Sequence, residues 1–148
     1  MIKDELLKAC EDFIEKKIRA AQKGIDELNE SADVETKSSV GDKYETNRAM
    51  IHIEREKYSA QLLECTKLQK VLAMIKVKKH SSEVDSGSLA MTTQGNYYLG
   101  IAAGKVKIEE AEYFCISQAS PIGQQLTGKS KGDAFTFNGR KYEVREVL

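Results

Sequence analysis

The chain has 148 residues, 41% of them hydrophobic but only 7% aromatic, and its 23 Lys and Arg match its 23 Asp and Glu. That length holds one large or two small domains, and so few aromatics suit a small core beside an elongated part. Zero net charge, kept locally with 16 basic against 15 acidic residues in 1–80, excludes a simple electrostatic nucleic-acid binder and argues against DNA binding by the chain alone.

Residues 2–29 contain no proline. Leu7, Ile14, Ala21 and Leu28 recur every seven residues, with Cys10, Ile18 and Ile25 between them at three- and four-residue steps. That spacing predicts a helix with one apolar stripe. Residues 29–42, N-E-S-A-D-V-E-T-K-S-S-V-G-D, are rich in Ser, Asp and Gly and read as a turn. Residues 43–79 hold neither Gly nor Pro, and Tyr44, Ile51, Tyr58, Cys65 and Leu72 are again seven apart. A second, longer helix follows from this. Two stripes of matching period predict an antiparallel coiled-coil hairpin over residues 1–80, with an acidic tip near 30–46. Such an arm is roughly 40 Å long at 1.5 Å per residue.

Residues 80–88, H-S-S-E-V-D-S-G-S, read as a linker into a second domain, 81–148. Strands are expected at Leu89–Thr93, Asn96–Ile101 and Glu112–Ser117, with a break at Gly104-Lys105. Ser120 is a candidate helix cap and Pro121 a candidate first helical residue, since proline's φ is already helical and its missing N–H would be orphaned there anyway. Gly128 then suits a left-handed stop. Phe135 and Phe137 alternate with polar residues, Asn138-Gly139 signals a tight turn, and Tyr142, Val144 and Val147 continue beyond it. About five strands and one short helix make the class α+β.

The order Ser120-Pro121-Ile122-Gly123, then Leu126-Thr127-Gly128-Lys129 with Gly132-Asp133, then two closing strands, resembles the C-terminal domain of the Gre family (GreA and GreB) of bacterial transcript-cleavage and elongation factors. A helical hairpin of about eighty residues before a small α+β domain is the order of that family, so the resemblance in architecture spans nearly the whole chain. It implies an FKBP-like antiparallel sheet at the C-terminus. It also implies binding to bacterial RNA polymerase, with the coiled coil in the secondary channel and the nascent RNA 3′ end met only indirectly.

In the Gre family a Gly-Asp-x-x-Glu segment lies at the tip of the hairpin, and Gly41-Asp42-Lys43-Tyr44-Glu45 matches it. The resemblance implies that Asp42 and Glu45 help hold a Mg²⁺ shared with polymerase and orient the attacking water, no cofactor being bound in the free protein. A hard divalent ion takes carboxylate oxygens, and two-metal phosphoryl transfer needs a second ion near the first. Read from the residues alone, the same pair is also a capping arrangement, with an acid at a helix start and a Glu three residues on. Thr46-Asn47-Arg48 departs from the Glu-Asn-Ala-Glu-Tyr continuation of the family. The Ser120, Pro121, Ile122 and Gly123 loop would, by resemblance, dock on the channel rim. Lys16, Lys17, Arg19 and Arg48 are candidates for RNA contact, although interleaved acids also fit a solvated charged face. Asp33 and Glu35 lie in the same turn as the tip.

Cys10, Cys65 and Cys115 are far apart, without CxxC or nearby His, which reads as reduced, half-buried thiols and a cytoplasmic location. No apolar run reaches the ~18 residues of a membrane span, and the acidic N-terminal run does not read as a signal peptide. Three other functions compete. One is a secondary-channel regulator or inhibitor without cleavage activity, favoured by Thr46-Asn47-Arg48. Another is an FKBP-like prolyl isomerase, which would need an aromatic-lined pocket. The third is a hairpin that dimerises. In the leading reading the chain is an accessory to polymerase's own hydrolysis and not itself an enzyme.

Overall fold

The computed structural model describes the backbone of residues 1–37 and 41–148, and the side chains of these except 33–37 and 41–44. Two long helices come first, α1 (Ile2–Lys37) and α2 (Gly41–Val77). Then follow β1 (Leu89–Thr92), β2 (Gly95–Gly100), β3 (Gly104–Ile108), β4 (Ala111–Ser117), α3 (Pro121–Leu126), β5 (Ala134–Phe137) and β6 (Arg140–Val147). The chain is α+β. It divides into two compact units, Ile14–Leu68 and Met1–Phe13 with Gln69–Leu148.

The Ile14–Leu68 unit is a helical hairpin. Ile14, Ala21 and Cys65 are buried along its seam. Gly24 lies against the ring of Tyr58, and Leu28 shares a groove with Ile51. Partners fall on α2 as they rise on α1, so the helices are antiparallel. The turn expected at 29–42 is shorter than its composition suggested, because α1 continues to Lys37. Residues 29–37 contain neither Gly nor Pro. Ser and Asp lower helix propensity only by fractions of a kcal/mol, roughly 0.5 each.

In the other unit, a six-stranded sheet has the order β3-β4-β2-β1-β6-β5. It is mixed, not antiparallel throughout: β2 and β4 run parallel, with Tyr98 opposite Cys115. The reason lies in the β3–β4 hairpin. β4 carries the buried Tyr113 and Cys115 and goes inward; β3 exposes Lys105 and Lys107 and takes the edge. Lysines on an edge strand discourage further pairing. β3 itself was not expected, since Gly104-Lys105 reads as a break; it starts there instead.

Side chains alternate across the sheet. One face presents Tyr98 and Cys115 to the helix ends. The Cys115 thiol shares a hydrogen bond with Cys10 of α1. A Cβ on Gly100 would stand 3.3 Å from Ile75 Cδ1 and 3.9 Å from Leu72 Cδ2, both on α2. The opposite face carries a core of Val84, Ala90, Leu99, Leu126 and Val144, with Ile122, Phe135 and Tyr97 packed around it. Full burial of one such aliphatic side chain contributes about 1.5–3 kcal/mol.

The segment read as a linker belongs to this core. Val84 is 1% exposed, its N–H donates to Lys129 O at 2.8 Å, and its carbonyl accepts from Gly128 N–H at 2.8 Å. Gly87 N–H donates to Leu99 O. An apolar Val within an H-S-S-E-V-D-S-G-S run marked this, but Ser and Gly masked it. The three thiols are free and buried, more deeply than expected. Among the described residues no helix is long and apolar enough to cross a membrane.

Candidate functional site

At one end of the hairpin α1 ends at Lys37 and α2 begins at Gly41. Asp42 and Glu45 occupy the first turns of α2, three residues apart. That spacing puts their Cα atoms one above the other on the helix, and the helix N-terminus carries the positive end of its dipole. Glu45 is exposed. The side chains of Asp42, Tyr44, Asp33 and Glu35 lie outside the described residues.

Next to this end, Leu28, Ser31, Asn47, Met50, Ile51 and Glu54 line an open groove of about 320 Å³. Met50 and Ile53 on the same stretch of α2 are 60% and 61% exposed. Sequence reasoning gave α2 a single apolar stripe. The apolar residues outside its sevenfold repeat, Met50, Ile53 and Leu63, were the signal that it carries more.

The four basic candidates do not form one site. Arg19 pairs with Glu15 at 2.6 Å, on the surface of α1. Lys16, Lys17 and Arg48 are exposed. With Gly24 level with Tyr58, Lys16 is eight residues from that level one way and Arg48 ten the other. At 1.5 Å per residue they are roughly 27 Å apart along the hairpin. Only Arg48 is near the acidic end. His52 pairs with Glu56 at 3.2 Å.

The Ser120–Gly123 loop has the local structure its sequence predicts. Ser120 has extended backbone (φ −64°, ψ 156°), and its Oγ accepts from Gly123 N–H. The same hydroxyl donates to Ser117 O at 2.7 Å. Pro121 opens α3. A Cβ on Gly123 would collide with the Ser117 carbonyl and stand 2.9 Å from Gln118 O. Ile122 packs on the core. So Ser120, Ile122 and Gly123 are occupied in building the turn, and Pro121, which is exposed, is the member left to face a partner. Gly128 ends the turn at φ 85°, and Asn138-Gly139 forms the hairpin with φ 50° and 77°.

On the α3 face of the sheet, five aromatic rings run in a row. Phe114 stacks on Tyr97 at 5.5 Å, Tyr97 meets Tyr142 at 6.4 Å, and Tyr142 is flanked by Phe135 at 5.0 Å and Phe137 at 6.3 Å. Lys129 lies over the Phe135 ring. Burial and a hydrogen bond with Tyr142 push the Tyr97 hydroxyl up to about 12. Burial also raises Tyr98. The Cys10 thiol is raised by its hydrogen bond to Cys115 and by burial. Tyr97 and Phe114 fall in the strands expected at Asn96–Ile101 and Glu112–Ser117, and Tyr142 beyond the Asn138-Gly139 turn; nothing local signalled that β2, β4 and β6 would align these rings.

No family model, no curated protein and no solved structure matches the chain.

Proposed function

We propose that the chain is a Gre-type transcription elongation factor. The hairpin acts as a coiled coil that enters the secondary channel of bacterial RNA polymerase, and the sheet domain, FKBP-like in this reading, docks at the rim. Asp42 and Glu45 stimulate cleavage of backtracked RNA by helping to hold a catalytic Mg²⁺. The observation that carries the reading is the position of these two acids, in the first turns of the long helix α2, which begins at Gly41 after α1 ends at Lys37. The exposed Glu45 and the Ser120-capped turn with Pro121 outermost also support it.

The donor chemistry fits the ion only in part. Mg²⁺ demands six oxygens in near-octahedral geometry, and two carboxylates supply at most a few of them. The ion is therefore chiefly polymerase's, and the pair completes its shell. Mg²⁺ supplies charge stabilisation at the phosphate being cut; Asp42 and Glu45 add oxygen ligands and accept hydrogen bonds from water. The chain is an accessory and leaves the hydrolysis to polymerase.

A second reading keeps the channel and drops the cleavage. Arg48, exposed one turn beyond Glu45, brings a positive charge beside the acids and weakens their hold on a cation; this favours a regulator. Adding the chain to stalled, backtracked elongation complexes separates the two. Shortened RNA 3′ ends support the cleavage factor. Intact RNA with the chain bound supports the regulator, and absence of binding removes both.

A further inference from the structure

A cavity of about 470 Å³ opens where the start of α1, the end of α2 and residues 80–88 meet, all within the sheet-bearing unit. Its lining includes Lys3, Lys76, Lys78 and Lys79, against only Asp4 and Asp85. Most of these charges already have partners. Asp4 is held by the Met1 ammonium at 2.9 Å, Asp85 by Lys78 at 3.1 Å, and Lys76 by Glu11 at 2.8 Å.

Lys3 and Lys79 make no ion pair among the described residues. Lys3 is half-buried, and burial holds its ammonium below the ordinary lysine value despite Asp85 nearby. Two cations thus face one cavity, one of them partly stripped of water, and neither is within ion-pair distance of a carboxylate among the described residues. Ser81 and Ser86 add hydroxyls, while Leu7 and Ile75 supply apolar wall; the Ser88 hydroxyl is already given to Asp85 Oδ1 at 2.9 Å.

We propose that this cavity binds a small phosphate ester. Lysine ammoniums act as point charges toward phosphate oxygens, and hydroxyls donate to the remaining ones. The cavity falls in the size range of small-molecule sites, roughly 300–1,000 Å³. It is far larger than bare phosphate needs, and its apolar wall would cover an organic body. The site is separate from the hairpin end and does not depend on polymerase.

Calorimetric titration of the full chain with ribose 5-phosphate, and with ribose as the uncharged comparison, tests this. Saturable binding of ribose 5-phosphate is expected, with none of ribose. The Lys3→Gln/Lys79→Gln variant should weaken it about tenfold or more, the equivalent of roughly 1.4 kcal/mol. Lys105→Gln, on the outer edge strand, should leave it unchanged. Both Lys3 and Lys79 reach solvent, so their neutralisation spares the core, and a circular-dichroism melt checks the fold. No saturation, equal binding of ribose, equal binding by the double variant, or an equal loss in Lys105→Gln would each overturn the proposal.

Discussion

The ring of Tyr58 occupies the space that a side chain at Gly24 would need: a Cβ built there falls 2.7 Å from Cε1 and Cε2 of the ring. Glycine in a helix interior normally costs about 1 kcal/mol relative to alanine. Here it lets the two helices of the hairpin approach across an aromatic ring.

Gly24→Ala should therefore destabilise the hairpin, against the usual trend. Overpacking costs about 1–3 kcal/mol, which outweighs the propensity gain. Thermal melts followed by helical circular dichroism will show it as a lower midpoint. Gly24→Ala with Tyr58→Leu should recover part of the loss, because contacting residues couple. A Gly24→Ala variant more stable than wild type would mean that the ring moves aside freely.

The turn at Ser120 separates fold from binding. Ser120→Ala removes an N-cap and should cost about 1 kcal/mol in urea unfolding. Gly123→Ala should cost more, since its Cβ meets the backbone carbonyl of Ser117, which cannot swing away as a side chain can. Pro121→Ala should leave stability within about 0.5 kcal/mol, as exposed positions do, and weaken capture by polymerase. Equal binding by Pro121→Ala and wild type would remove the loop from the docking surface.

Alkaline pH should loosen the aromatic row. Burial, then the hydrogen bond with Tyr142, hold the Tyr97 proton up to about 12 in the folded chain, against about 10 when unfolded. Between these values the folded chain keeps a proton that the unfolded chain has lost. The stability tied to Tyr97 is thus whole below about pH 10 and is lost as pH rises through the folded value. Urea midpoints should fall over that window, and less steeply in Tyr97→Phe. An identical slope in wild type and Tyr97→Phe would assign the loss to other groups.

Where the signal was local, the sequence was legible. The Ser120-Pro121 cap, the left-handed Gly128 and the Asn138-Gly139 hairpin each depend on residues within a few positions, and all three stand as expected. The sevenfold repeat of Ile14 and Ala21, and of Cys65 and Leu72, likewise marked the buried stripes. What failed was non-local. Whether β4 lies parallel to β2 depends on which strand of the β3–β4 hairpin is the more apolar, a comparison between segments. Val84 was hidden because a buried residue in a serine-rich run looks like a linker until its partners, Gly128 and Lys129, are brought beside it. The continuation of α1 to Lys37 is hidden by the polar composition of residues 29–37, whose lack of Gly and Pro lets the helix run on. Of the candidate site, the positions of Asp42 and Glu45 on a helix start were readable, whereas the groove beside them needs both helices at once.

RNA cleavage in backtracked elongation complexes, comparing wild type with Asp42→Ala/Glu45→Ala, tests the central claim most directly. The double variant places alanine, a good helix former, at both positions, so polymerase binding should persist and can be measured in the same samples. Cleavage by wild type that disappears in the double variant, with binding retained, is the predicted result. Equal cleavage by the double variant, or none by wild type despite binding, would contradict the role of the acidic pair.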